Sequence, residues 1–212
     1  MSKARLALAL CCLLTAALCG CQTAKKIGAE FDPAQRPEQQ AYLAVIEPDL
    51  AQAQDHDGVA MVMNAAALPL NAAVRQAQIQ RRVAAFDLGP KAQAQAQAEA
   101  ASALAKFHDV ILSLYVPEDK WNNLASSEPT FVVYLQTPDG RKISPLDRRR
   151  LTRRTAIDEA LYPFWGPWSK LYLMRFGLND GDGKPLLAEG QNTVDLVISG
   201  APGTLRLPLR LR

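Results

Sequence analysis

The chain has 212 residues, with 24 Lys and Arg against 21 Asp and Glu, and its four cysteines all lie within the first 21 positions. Everything beyond Cys21 therefore lacks a thiol for a disulfide or a thiolate metal site, and the length suits one domain with a sizeable core. Lys3 and Arg5 belong to the opening segment, so the rest carries 22 basic and 21 acidic side chains, net +1, too little for a global field that draws nucleic acid.

Met1 to Gly20 reads as a secretion signal. Lys3 and Arg5 form a positive n-region, Leu6 to Leu18 is an apolar stretch too short to span a bilayer, and Leu18-Cys19-Gly20-Cys21 closes it. Gly20 supplies the small side chain beside the scissile bond, and the Cys21 thiol is the nucleophile that takes the diacylglyceryl group. Cys21 is thus the predicted lipidation site, with palmitate-class acyl chains holding the protein to a membrane at about 0.8 kcal/mol per buried methylene. By resemblance to bacterial lipoproteins with a non-acidic second residue, Gln22 implies the outer membrane, on the periplasmic side of the cell envelope. The expected organisation is a signal over 1–20, a flexible tether over 21–40 rich in Pro, Gln and charge, and a single domain over 41–212.

Within that domain, Tyr42 to Ile46 is a predicted strand, Asp55-His56-Asp57-Gly58 a turn, and Val59 to Met63 a second strand. From 70 to 106 the texture is helical. Asn71 can cap a helix carrying Ile79, Val83 and Phe86 at i, i+4 and i+7, and Gly89-Pro90 ends it and starts a second. The Ala/Gln alternation of 91–106 mimics a strand, but both residues favour helix. This predicts a helical hairpin with Ala100, Leu104 and Phe107 as a buried stripe. Alternation then predicts strands at Val110–Val116, Phe131–Leu135 and Leu171–Phe176, with Thr137-Pro138-Asp139-Gly140 turning into Arg141–Ser144. The clearest hairpin is the last: Val194, Leu196 and Ile198, the turn Gly200-Ala201-Pro202-Gly203, then Leu205, Leu207, Leu209 and Leu211. Pro208 marks its second arm as an edge strand. The fold class expected is mainly β with an α insertion: an immunoglobulin-like antiparallel β-sandwich carrying a helical hairpin.

Leu114-Tyr115-Val116-Pro117 with Trp121-Asn122-Asn123-Leu124, Tyr162-Pro163-Phe164 and the closing hairpin resemble a loose group of uncharacterised bacterial lipoproteins. The resemblance covers about half the chain. It implies the sandwich and the envelope location, and it adds no catalytic residue.

Candidate sites follow from chemistry. His56 and His108 show no metal-ligand spacing, and no Gly-x-Ser-x-Gly elbow accompanies His108-Asp109. Asn179 to Lys184 misses the calcium-loop pattern because Lys184 stands at the third ligand position. Glu118, Asp119, Asp158 and Glu159 are carboxylates of the kind glycoside hydrolysis pairs. Trp165 and Trp168, within Tyr162 to Trp168, could form an aromatic platform. The sharpest anomaly is Arg148, Arg149, Arg150, Arg153 and Arg154, preceded by Arg141 and Lys142, against Asp147 alone. Guanidinium forks grip phosphate or carboxylate, so this run is a candidate anion-binding site; the bland alternative is a solvated loop. The reading is a non-catalytic envelope interaction or structural module with no metal or cofactor. Its expected partners are the membrane through the lipid anchor and an envelope protein or anionic lipid, and no nucleic acid. Its rivals are an envelope hydrolase and a small apolar-ligand carrier.

Overall fold

The computed structural model describes residues 36–212; the signal, Cys21 and most of the expected tether lie outside the described residues. Helix α1, Pro37–Ile46, comes first, beginning inside the segment expected to be spacer. It replaces the strand expected at Tyr42–Ile46. Pro37 is pre-set for a first helical position, Glu38 suits the positive end of the macrodipole, and Gln, Ala and Leu carry the next turns. Tyr42 and Ile46 are then one turn apart and both buried, which outweighs the β-propensity of Tyr, Val and Ile. The Tyr42 hydroxyl donates to the Leu161 carbonyl at 2.6 Å, and burial holds its pKa far above the ordinary tyrosine value.

After a 3₁₀ turn, strands β1 (Ala51–Asp57) and β2 (Ala60–Pro69) form a hairpin. Its turn is Gly58-Val59, with Gly58 at φ +60°, the first central position where glycine admits a left-handed conformation. The segment 55–57, expected as a turn, belongs to β1, an edge strand whose only apolar contributions to the core are Ala51 and Ala53.

The helical hairpin lies where expected, as α2 (Ala72–Phe86) and α3 (Pro90–Leu104). The Asn71 side chain accepts from the Val74 amide at 3.0 Å, supplying the N-cap. Val74, Ala77 and Ile79 are buried on α2, whereas Phe86 near its end is 57% exposed. The expected stripe of Ala100, Leu104 and Phe107 is not a buried one: α3 has no buried residue, and all three positions are only half-covered. An Ala/Gln-rich helix needs little burial, because low side-chain entropy cost and pairs such as Gln95–Glu99 at 2.9 Å support it locally.

The remaining strands are β3 (Phe107–Tyr115), β4 (Phe131–Gln136), β5 (Lys142–Ile143), β6 (Asp147–Leu151), β7 (Lys170–Gly177), β8 (Thr193–Gly200) and β9 (Gly203–Arg210), with the short helix α4 (Ala156–Leu161) between β6 and β7. They form two antiparallel sheets, ordered β1-β2-β3-β7-β6 and β5-β4-β8-β9. The four-stranded sheet turns Phe131, Val133 and Leu135, Val194, Leu196 and Ile198, and Leu205, Leu207 and Leu209 into one core. Val110, Leu112 and Leu114 with Tyr172, Met174 and Phe176 enter the same core from the five-stranded sheet. The intervening residues Ile111, Leu171 and Leu173 face the other way, into a second cluster with Tyr42 and Ile46 of α1, Val74 and Ala77 of α2, Leu161 of α4, and Tyr162 and Trp165. Thus β3 and β7 are covered on both faces, and their apolar runs are nearly continuous rather than alternating. Each fully buried Leu contributes about 1.5–3 kcal/mol relative to exposure, and these two strands supply such residues to both clusters.

Candidate functional site

Only part of the arginine run is a loop: Arg153 and Arg154 follow β6 outside any strand or helix. Arg148, Arg149 and Arg150 lie in β6, and the β6–β7 register pairs Arg148 with Met174, Arg149 with Leu173, Arg150 with Tyr172 and Leu151 with Leu171. Strand alternation therefore divides the run. Arg149 and Leu151 share the helix-side face with Leu171 and Leu173, while Arg148 and Arg150 share the inner face with Met174 and Tyr172. Burial pushes the Tyr172 hydroxyl up to about 12, and the Arg150 charge opposes that shift, as expected for a guanidinium on its face.

The other basic groups have structural duties. Arg141 bridges Asp139 and Asp180 and donates to the Pro185 carbonyl, joining two turns; Lys142 sits 4.9 Å from the Tyr134 ring centroid. Arg148 reaches the Ser126 carbonyl at 3.5 Å. Arg154 pairs with Glu159 at 2.9 Å, donates to the Trp165 and Gly166 carbonyls, and lies 5.0 Å from the Trp165 ring centroid. Among the described residues no carboxylate forms an ion pair with Arg149, Arg150 or Arg153, and all three are exposed.

The stretch of chain that carries these residues borders a groove of about 340 Å³, and the inner-face register of Arg150 leaves Arg149 and Arg153 as the guanidiniums assigned to it. One wall is the chain from Arg149 to Arg153; the other is Asp158, Tyr162 and Trp165 from α4 and the loop after it, with Leu171 also in the lining. The capping box of α4 fixes that wall: Thr155 Oγ1 accepts from the Asp158 amide, and the Thr155 amide donates to Asp158 Oδ2. The two tryptophans part company. Trp165 is 7% exposed with its indole N–H donating to the Ser169 carbonyl at 3.0 Å, whereas Trp168 is 80% exposed and is not among the groove-lining residues.

The sequence-selected carboxylates are mostly engaged. Glu118 meets Lys120 at 3.6 Å, Asp119 meets Lys170 at 2.7 Å, Glu159 holds Arg154, and Asp158 caps α4. Asp180 uses Oδ1 to accept the Asp182 and Lys184 amides and Oδ2 to accept from Arg141, so the Asn179–Lys184 loop is closed by its own acid. His56 is exposed on β1 and His108 is half-buried at the start of β3. Among the described residues no three His, Cys, Asp or Glu side chains gather as a metal site would need. A larger hollow of about 670 Å³ by His108 is bordered by Arg210 and Arg212 but also by Asp49, which lies 3.8 Å from Arg210, so it presents no single sign of charge.

No family model, no curated protein and no solved structure matches the chain. The groove is thus read from its own chemistry.

One charged cluster escaped sequence reasoning. Asp109 on β3 accepts from Arg175 Nε and Nη2 at 2.8 and 2.9 Å and from Arg75 Nη2 at 2.7 Å. Burial alone would raise its pKa, yet the arginine bonds and charges together hold it below the ordinary 3.8. Next to it, burial and then the Arg212 charge hold His108 below the ordinary 6.5. Both groups bind fewer protons folded than unfolded, so each contributes stability that is present above its unfolded pKa and lost as pH falls toward its folded one. Urea denaturation should give constant stability from pH 8 to about 7, a first decline beginning near pH 6.5 from His108, and a steeper one below about pH 4 from Asp109 together with Asp139 and Asp180, whose carboxyls are also held low. The variant His108→Gln should remove the first decline and keep the second; an unchanged profile in that variant contradicts the assignment.

Proposed function

We propose that this chain is a lipid-anchored module of a bacterial cell envelope that recognises an anionic group and performs no catalysis. Cys21 is its anchor, the outer membrane facing the periplasm its location, and an immunoglobulin-like sandwich with an inserted helical hairpin its architecture. The observation that carries the recognition half is the placement of Arg149 and Arg153, with no carboxylate ion-pair partner among the described residues, on a groove lined by Leu151 and Leu171 and walled by Tyr162, Trp165 and the helix-capping Asp158. A guanidinium bordering partly apolar surface binds carboxylate or phosphate more strongly than one in open water. The anchor half rests on the signal and lipobox sequence. The structural duties of Glu118, Asp119, Asp158 and Glu159 speak against the hydrolase reading, and the side chains filling the space between the sheets speak against an apolar carrier.

Labelled fatty acid should enter the parental chain in cells and fail to enter Cys21→Ser; equal labelling would refute the anchor. At low salt the Cys21→Ser chain should be retained on a phosphate-bearing resin and released as salt rises, because exposed charges are screened over about 8–10 Å at physiological ionic strength. Passage through the resin without retention would refute the recognition half.

A further inference from the structure

We propose that the groove takes an extended acidic peptide segment, which adds to β6 as a sixth strand of the five-stranded sheet. This rests on the anion-recognition reading above and names the partner. The two sheets have four edge strands, β1, β6, β5 and β9. Three of them are closed or too short to template a partner. The β1 and β9 edges meet, with the Thr204 amide donating to Asp55 Oδ2 at 3.1 Å, so closely that a Cβ on Gly203 would lie 2.2 Å from that oxygen. Strand β5 has two residues.

Among the described residues strand β6 pairs only with β7, and no backbone hydrogen bond outside the sheets and helices engages residues 147–154. Its outer amides and carbonyls are therefore unsatisfied by described backbone, which is what strand addition exploits. Five consecutive residues, Arg149 to Arg153, border the groove, so it runs along the chain, as an extended occupant requires.

Charge selects the occupant. A second copy pairing through the same edge would set Arg148, Arg149 and Arg150 against themselves, and like charges directly opposite are destabilising. An acidic strand meets complementary charge instead. Along the groove the order Arg149, Leu151, Arg153 calls for acidic, apolar, acidic side chains at alternate positions of the incoming strand. Thr serves between them, as a β-former that tolerates solvent.

The test uses the full chain carrying Cys21→Ser, so that no acyl group contributes, and the blocked pentapeptide Glu-Thr-Val-Thr-Glu, whose symmetry allows either strand direction. Calorimetric titration should show binding that weakens about tenfold or more in Arg149→Gln/Arg153→Gln, since charge-assisted bonds are the strong ones. Methylating the amide nitrogens of one alternating set should abolish binding while methylating the other set leaves it, because only one set faces β6. Inorganic tripolyphosphate is titrated in parallel. Peptide binding indifferent to both methylation patterns overturns strand addition and leaves the anion site standing. No peptide binding alongside tripolyphosphate binding overturns the peptide partner and again leaves the anion site. Binding of neither probe overturns both.

Discussion

Asp109→Ala is expected to lower the unfolding free energy by about 3 kcal/mol, measured by urea denaturation with an unchanged m-value. The Asp109 side chain is 2% exposed and receives three hydrogen bonds from two guanidiniums. Arg75 projects from α2 and Arg175 from β7, so one carboxylate ties the helical hairpin to the two strands at the centre of the larger sheet. Removing it leaves two cations facing each other with no anion between them. The lower end of the range for breaking a buried pair applies because Arg175 is 32% exposed and can recover some hydration. Arg175 also keeps its contact with Phe107, at 4.5 Å from the ring centroid, and Arg75 keeps its bond to the Leu70 carbonyl at 3.0 Å, so neither side chain is released altogether. A loss under about 1 kcal/mol would place the triad in the class of solvated surface pairs.

The acid-pH behaviour and this variant share a cause. Asp109→Ala should also make the decline below about pH 4 shallower, leaving the share of Asp139 and Asp180, whose carboxyls are held below the ordinary value by hydrogen bonds from Lys184 and Arg141.

How much of this was legible in the sequence depends on whether local pattern or tertiary burial decided each element. The last hairpin was legible because Val194–Ile198 and Leu205–Leu211 bury one face only, and one-sided burial writes itself as alternation. The helical hairpin was legible from Asn71, Gly89-Pro90 and the propensity of Ala and Gln, which act through the local backbone. Its packing was not, since nothing local tells how far along the hairpin burial extends; the last buried residue of α2 is Ile79, and Phe86 is left in solvent.

Tyr42–Ile46 misled because its three β-formers, Tyr42, Val45 and Ile46, can equally serve in one turn of a helix when Tyr42 and Ile46 both find a core. Strand β1 was hidden by its composition: an edge strand held by backbone pairing to β2 needs only small inward residues such as Ala51 and Ala53. The arginine run was visible as charge, but its division between two faces was not. That division requires knowing that Asp147–Leu151 is a strand, and an arginine-rich edge strand has none of the apolar periodicity by which strands are found. Asp109 was passed over for a related reason, since its partners stand 34 and 66 positions away.

The same division gives the largest binding effect expected here and the most direct check of the account. If Arg149 and Arg153 make a site, neutralising them should cost far more than neutralising their neighbours Arg148 and Arg150, although both changes remove the same charge from the same short stretch of chain. Each charge-assisted bond is worth about 1.5–3 kcal/mol, so losing two guanidiniums should weaken binding tenfold or more, while the inner-face pair acts only through a screened field and should cost no more than about threefold. The measurement is calorimetric titration of inorganic tripolyphosphate into the Cys21→Ser chain, alone and with either Arg149→Gln/Arg153→Gln or Arg148→Gln/Arg150→Gln. The first pair should abolish or strongly weaken binding, and the second should nearly preserve it. Equal losses in the two double variants would mean that the arginines act as a diffuse cationic surface, and would contradict the groove as a site.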